Sequence, residues 1–267
     1  MRLDAYLVEK KICTSRIKAK EVITCGLVSL NGKITTKPSI LITEGDQVVV
    51  EKTSAIPYVS RGGLKLEHAI KTFNVDFTDK IVLDIGATTG GFTDCALKNG
   101  AKQVWAIDVG TNQLDISLKS NPKVKSLEHT DIRKLDPDVI DTKVDVVVAD
   151  LSFISLQHII KYLPKFLTSN GYAILLIKPQ FEAGPQNICK GGIVKDKKVH
   201  IRIINDIINF SAANQLFLNK LTHAPILDIR KNIEYLGLFS QVRTTNIDYK
   251  EVVNMAFEKQ RLIKLEK

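Results

Sequence analysis

The segment Asp84-Ile85-Gly86-Ala87-Thr88-Thr89-Gly90-Gly91-Phe92-Thr93 sets a carboxylate at the end of an apolar run, turns through glycines and continues into a helix-forming stretch. Glycines in such a turn let backbone come close to a ligand. A dinucleotide site requires the spacing GxGxxG to cradle a pyrophosphate; here Gly86 is followed by Gly90 and Gly91, and Asp84 stands where phosphate would be repelled. The turn therefore favours a ligand with a cationic or neutral end. S-adenosylmethionine carries a sulfonium and an ammonium and no phosphate, so it suits this turn better than a nicotinamide dinucleotide does. Asp108 closes Val104-Trp105-Ala106-Ile107 24 positions after Asp84, the placing of an acid that accepts hydrogen bonds from both ribose hydroxyls. In His129-Thr130-Asp131-Ile132 a carboxylate after the next strand can meet an adenine amino group, with a solvated loop aspartate as the alternative. The cofactor-binding set is then Asp84, Gly86, Ala87, Thr88, Thr89, Gly90, Gly91, Phe92, Asp108, Val109, Asp131 and Ile132.

A second group of charges follows aliphatic runs. Asp150 ends Val146-Val147-Val148-Ala149, and Lys178 ends Leu175-Leu176-Ile177. A charge in that position needs a partner, and neighbouring strand ends would bring these two together. Pro179 stops regular strand pairing, so Lys178 is expected at the mouth of a sheet and not on its flank. Lys65, in Arg61-Gly62-Gly63-Leu64-Lys65, and Glu234, in Asn232-Ile233-Glu234-Tyr235-Leu236, are further candidates that spacing alone does not single out. Gln180 to Gly184 and Lys190 to Gly192 are expected to form a loop over an acceptor pocket, with a flexible surface loop as the alternative.

The elements that must position these residues read as alternating apolar runs and amphipathic segments, the signature of parallel strands with crossover helices. Strands are expected at 80–86, 103–109, 124–130, 144–151, 171–178, 216–224 and 234–242, and helices at 90–99, 155–168, 195–214 and 249–264. Ligands in such sheets sit beyond the carboxyl ends of the strands, which is where the acids and Lys178 fall. The fold class is α/β: a Rossmann-like domain with a mostly parallel seven-stranded sheet over 58–267, behind a small α+β domain over 1–57, with Thr53 to Val59 as linker.

In the first sixty residues, Leu3, Leu7, Ile12, Ile17, Val22 and Ile23 predict two short amphipathic helices, the second opening after the N-cap types Thr14 and Ser15 and exposing Arg16, Lys18 and Lys20. Leu27 to Leu30, Asn31-Gly32 and Lys33 to Thr35 predict a hairpin with a type I′ turn. A second strand pair is expected through Gly45-Asp46 into Val48 to Val50. The stretch RLDAYLVEKKICTSRIKAKEVITCGLVSLNGK resembles the alpha-L RNA-binding module shared by a small-subunit ribosomal protein and several RNA-modifying enzymes. The resemblance implies that Arg2, Arg16, Lys18, Lys20 and Lys33 face folded RNA, where phosphate contacts position a protein without reading much sequence; Arg61 joins this candidate set.

Composition excludes several classes. The chain has 267 residues, 44% of them hydrophobic, and its longest apolar stretches fall far short of the roughly 20 residues that cross a bilayer. Its first residues lack the apolar core of a signal peptide, so a cytoplasmic location is expected. Cysteines 13, 25, 95 and 189 form no CxxC pair and the five histidines are scattered, so neither a metal cluster nor a disulfide framework is expected. The net charge of +9 fits a polyanionic partner. Residues 1–58 hold nine Lys or Arg against six Asp or Glu, so the excess is spread along the chain and motifs must carry the nucleic-acid reading.

The pieces SRGGLKL, DIGATTGGFTD, VWAIDVG, VADLSFISL, LIKPQFEAG, GGIVKD and NIEYLGLF occur in the order found in the TlyA-type (hemolysin-like) rRNA methyltransferases, within the FtsJ-like group of ribose 2′-O-methyltransferases, which the chain resembles from Met1 to about Gln241. Thr88 departs from the usual serine but keeps a hydroxyl. The resemblance implies a class I methyltransferase fold, S-adenosylmethionine as cofactor, ribosomal RNA or ribosomal subunits as partner with cytidine 2′-hydroxyls as acceptors, and a catalytic tetrad of Lys65, Asp150, Lys178 and Glu234. A ribose hydroxyl is a weak nucleophile, and Lys178 is the expected base. A free lysine has a pKa near 10.4, so this role requires burial and the nearby Lys65 to lower it. The rival expectations are a noncatalytic RNA-binding or ribosome-assembly factor, a membrane-active hemolysin, for which no spanning or amphipathic membrane pattern is found, and a nicotinamide-dependent oxidoreductase, which the glycine spacing opposes.

Overall fold

A computed structural model describes residues 1–13, 16–24, 27–50, 57–244 and 246–265, apart from the side chains of Ile17, Lys18 and Glu21. The expected cap at Thr14 and Ser15, the Lys18 side chain and the linker residues 53–56 lie outside the described residues. The chain divides into two compact units, Met1–Ser60 and Arg61–Lys267.

The N-terminal unit holds helices α1 (Leu3–Glu9) and α2 (Arg16–Thr24) and strands β1 (Val28–Leu30), β2 (Lys33–Thr35) and β3 (Val48–Val50). Leu3, Leu7, Ala19, Ile23 and Val28 form its core. Asn31 and Gly32 both take positive φ, 52° and 75°, as a type I′ turn demands. The expected second strand pair does not form. β3 instead adds to the other edge of β1, giving the order β2-β1-β3. Asn31 explains this: its side chain donates to Asp46 and accepts from the Gln47 amide, which ties the later strand to the hairpin turn.

The second unit begins with helix α3 (Gly62–Phe73), which the sequence reading left without an element, and continues through β4 (Ile81–Ile85), α4 (Gly91–Lys98), β5 (Gln103–Ile107), α5 (Ile116–Lys119), β6 (Val124–Leu127) and β7 (Val144–Ala149). Then come α6 (Gln157–Ile160), β8 (Leu167–Ile177), α7 (Pro179–Glu182), α8 (Lys197–Ala213), β9 (Phe217–His223), β10 (Tyr235–Ser240) and α9 (Tyr249–Leu265). The sheet order is β6-β5-β4-β7-β8-β10-β9, parallel from β6 to β8, with β10 antiparallel to both β8 and β9. The central strands β4, β7 and β8 carry aliphatic stretches buried on both sides of the sheet; Val82, Leu83, Val146, Val147, Ile174 and Leu175 are all fully buried.

The helix expected over 155–168 is a correction. Only the single turn α6 forms, followed by a 3-10 turn at Leu163–Lys165, and β8 already starts at Leu167, paired with Val144. Pro164 has no amide hydrogen and would clash with the preceding turn inside a helix. The strand order reverses between β4 and β7, which opens a crevice at their carboxyl ends.

Candidate active site

Strand register places most of the charged candidates at one rim. Ile85 pairs with Ala149 and with Ile107, so Gly86, Asp150 and Asp108 leave the sheet side by side. Tyr235 pairs with Ile177 in the antiparallel β8–β10 ladder, which sets Glu234 opposite Lys178. Lys65 arrives from the first turns of α3, a helix anchored by buried Leu66, Ala69 and Phe73. Lys65 Nζ lies 2.7 Å from Glu234 Oε2 and 3.7 Å from Asp150 Oδ2, and Lys178 Nζ lies 2.5 Å from Asp150 Oδ1. The four residues implied as a tetrad thus form one chain of charges, Glu234–Lys65–Asp150–Lys178.

Lys178 is buried and also donates to Ser152 Oγ at 3.0 Å. Burial by itself pushes the Lys65 ammonium down, but the charges of Asp150 and Glu234 and the Glu234 hydrogen bond outweigh it and hold Lys65 above its ordinary value. Burial likewise penalises ionised Asp150, and the two lysines override it, so its carboxyl stays below the usual range. Lys65 is therefore a fixed cation and Asp150 a fixed anion at neutral pH.

Next to this chain, Asp84 is fully buried on β4. The Thr93 hydroxyl donates to its Oδ2 at 2.6 Å, while Oδ1 has no hydrogen-bond partner among the described residues. Burial first, and the charges of Asp150 and Asp108 in addition, push its carboxyl up to about 7. A buried carboxylate oxygen without a protein partner can accept from a donor or cation brought by a ligand or water. Gly86, at φ 77°, brings the turn against the end of β7, where a Cβ would meet Leu151 Cδ2 at 2.7 Å. Gly90 serves packing: a Cβ there would strike Leu118 and Leu114. Thr88 also takes a left-handed φ of 48°, and its amide donates to Asp108 Oδ2 at 2.9 Å, while the Gly110 amide donates to Oδ1 at 2.7 Å. Each Asp108 oxygen keeps a lone pair for a ribose hydroxyl. Beside Asp108 a recess is lined by Ala87, Thr88, Gln113, Leu114 and Glu128. These residues fit the adenosyl cofactor: an acid for its cationic end, a glycine approach and an acid for its ribose.

The remaining candidates are placed less directly. Ala87, Phe92 and Ile132 are buried, and Val109 is 69% exposed. The amide of Gly91 opens α4, and the Thr89 carbonyl accepts from Asp115. The Asp131 carboxylate is gripped by Arg133 through Nε and Nη2 at 2.9 and 2.6 Å, so its oxygens are engaged within the loop. Among the described residues no group of His, Cys, Asp or Glu is arranged to hold a metal ion, and no helix is long and apolar enough to cross a membrane.

Several residues escaped the sequence reading. Phe153, three residues after Asp150, is 90% exposed at a left-handed φ of 65° and stands 5.2 Å from the Phe181 ring, over which Lys178 Nζ lies at 5.8 Å. A bulky residue held in that backbone region is strained, and such strain collects at functional sites. The 180–184 segment is no loose loop. Gln180 to Glu182 belong to the turn α7, where Gln180 donates to Glu234 at 3.3 Å and Glu182 accepts from Ser155 Oγ and the Leu156 amide at 2.6 and 2.8 Å. The signal for Phe153 was available as an aromatic directly after Asp-Leu-Ser, outside any strand pattern.

In the N-terminal unit, Arg2 and Arg16 are half exposed, at 43% and 56%, and both reach the buried Asp4, at 3.0 Å each. The Arg2 hydrogen bond foremost, then Arg16, holds the Asp4 carboxyl far below its usual range. Lys20 and Lys33 are exposed.

A Rossmann-like sheet with a buried acid beside a lysine–carboxylate chain at its switch point defines a nucleoside-cofactor transferase of the methyltransferase class. The chain belongs to the FtsJ-like methyltransferase family, whose profile matches residues 58–240, and residues 1–48 match the S4 domain. It is 44% identical over 236 residues to YqxC of Bacillus subtilis, a protein provisionally named an rRNA methyltransferase, covering 88% of this chain and 84% of that one. It is 39% identical over 203 residues to the 16S/23S rRNA (cytidine-2′-O)-methyltransferase TlyA of Mycobacterium tuberculosis, covering 76% of each. A solved structure from Streptococcus thermophilus that carries a hemolysin name shares 36% identity at a TM-score of 0.79, covering 100% of this chain and 98% of that one.

Proposed function

We propose that this chain transfers a methyl group from S-adenosylmethionine to a ribose 2′-hydroxyl of ribosomal RNA, cytidine being the acceptor nucleoside. Residues 1–57 serve as the RNA-binding domain and residues 58–267 as the catalytic one, in the cytoplasm where the substrate is made. The observation that carries the reading is the Glu234–Lys65–Asp150–Lys178 chain, drawn from four distant parts of the sequence and set beside the buried Asp84. The relatives' rRNA names and the S4 match support the substrate.

The cofactor supplies an electrophilic methyl on sulfur. Asp84 would hold its cationic end and Asp108 its ribose. Lys65, locked as a cation, fixes Asp150, and Asp150 and Ser152 together hold the Lys178 amine in place. Lys178, held between Asp150 and Ser152, is the group assigned to receive the hydroxyl proton as the ribose oxygen attacks. Phe153 and Phe181 offer a face on which the acceptor base stacks. Alignment of oxygen, carbon and sulfur contributes a large share of the acceleration.

Labelled methyl transfer to ribosomal RNA, with mapping of 2′-O-methylated positions, tests the reading. Lys178→Ala is expected to lower kcat by 10²-fold or more; normal turnover at saturating RNA and cofactor would remove Lys178 as the base.

A further inference from the structure

A cleft of about 830 Å³ opens in the second unit between α9, the 193–197 segment and the 229–233 segment. Its lining carries Lys195, Lys197, Arg230, Lys231, Arg261 and Lys264 against only two carboxylates, Glu251 and Glu258. Arg230 is neutralised by Asp228 through Nε and Nη2, both at 3.0 Å. The other five cations have no carboxylate within 4 Å among the described residues. A cleft lined by an excess of one sign of charge focuses its field and attracts an anion.

The cleft is built in advance. Asn232 clasps one wall, donating to the Gly192 carbonyl and accepting from the Val194 amide, both at 2.8 Å. Gln260 fastens α9 to the other side through the Ile229 and Lys231 carbonyls, both at 3.3 Å. Ile233 lines the cleft, and the residue that follows it in the chain is Glu234 of the charge chain. α9 lies outside residues 58–240 that match the FtsJ-like profile.

We propose that this cleft holds the ribose–phosphate backbone of the RNA strand beside the target nucleotide, with Lys231, Arg261 and Lys264 as phosphate contacts. The proposal rests on the rRNA reading given under Proposed function. A volume near 830 Å³ suits nucleotides and exceeds what a single small ion needs. Lysine and arginine contacts to phosphate add affinity and salt dependence without choosing the base.

The test compares the full-length protein with Lys231→Gln/Arg261→Gln/Lys264→Gln, and with Lys143→Gln as a control. Lys143 is exposed and precedes β7 at the opposite end of the sheet. RNA binding is measured by filter retention without cofactor, across a salt series. The triple variant is expected to bind ribosomal RNA on the order of tenfold more weakly, with a salt slope shallower by about 2, at roughly 0.7 per single-strand phosphate contact. KM for RNA should rise in step, while kcat at saturating RNA, cofactor affinity and the methylated position stay as in the wild type. Lys143→Gln should bind as the wild type does. If the triple variant melts early, the three single variants replace it, each expected to weaken binding about twofold. Wild-type affinity and slope in the variants, or an equal loss in Lys143→Gln, would overturn the cleft assignment. Methyl transfer by the wild type is scored separately, so failure of the rRNA methylation reading shows as absent transfer with cleft-dependent binding intact.

Discussion

Asp84→Asn should change stability and cofactor binding in opposite directions. In the wild type the buried carboxyl is pushed up to about 7, against an ordinary value of 3.8. The folded state therefore keeps a proton that the unfolded chain releases between about pH 4 and pH 7. Stability falls with rising pH across that window, and above it the buried charge costs about 4 kcal/mol at 1.36 kcal/mol per tenfold change. Asparagine keeps the shape and still accepts from Thr93, but its amide hydrogens face the place where Oδ1 has no partner, costing about 1–3 kcal/mol at any pH. Without cofactor, the variant should melt slightly below the wild type at pH 5 and several degrees above it at pH 8, at about 2–4 °C per kcal/mol for a unit of this size. With cofactor the order reverses. The wild type should bind S-adenosylmethionine more tightly as pH rises from 6 to 8 and release up to one proton at pH 6. The variant should bind weakly with no pH dependence. Thermal melts at pH 5, 6.5 and 8, and calorimetric titration in two buffers of different ionisation enthalpy, measure both effects. Parallel melting profiles for the two proteins, or equal cofactor affinity, would refute the account of Asp84.

Phe153→Gly removes an exposed ring and a left-handed backbone strain together, so melting should be unchanged or improved by up to about 1 kcal/mol. KM for RNA should nonetheless rise several-fold with cofactor affinity unaltered; an unchanged KM would take away the stacking role. Gly86→Ala places a Cβ 2.7 Å from Leu151 Cδ2 at a φ of 77°, and should cost about 1–2 kcal/mol of stability and weaken cofactor binding in calorimetry. Wild-type values in both measurements would show that the turn is not under this constraint.

The local part of this protein is written in its sequence. Aliphatic runs such as 146–149 and 173–177 fit a strand covered on both faces, and Asn31-Gly32 can turn only one way at low cost. The Asp84–Gly86–Gly90 spacing argued against a pyrophosphate cradle. Lys65 and Glu234 became candidates only through resemblance, because nothing within a few residues of either reports a partner 169 positions away. Their meeting is decided by how α3 packs and by the antiparallel register of β10 on β8. Tertiary structure alone also decided that Asp84 has an unpaired buried oxygen, that Arg2 and Arg16 share Asp4, and that lysines from three separate segments line one cleft beside α9. Periodicity and turn chemistry act over a few residues, whereas desolvation and charge pairing depend on what the fold brings within a few ångströms, and that distance is set only when the sheet closes its register.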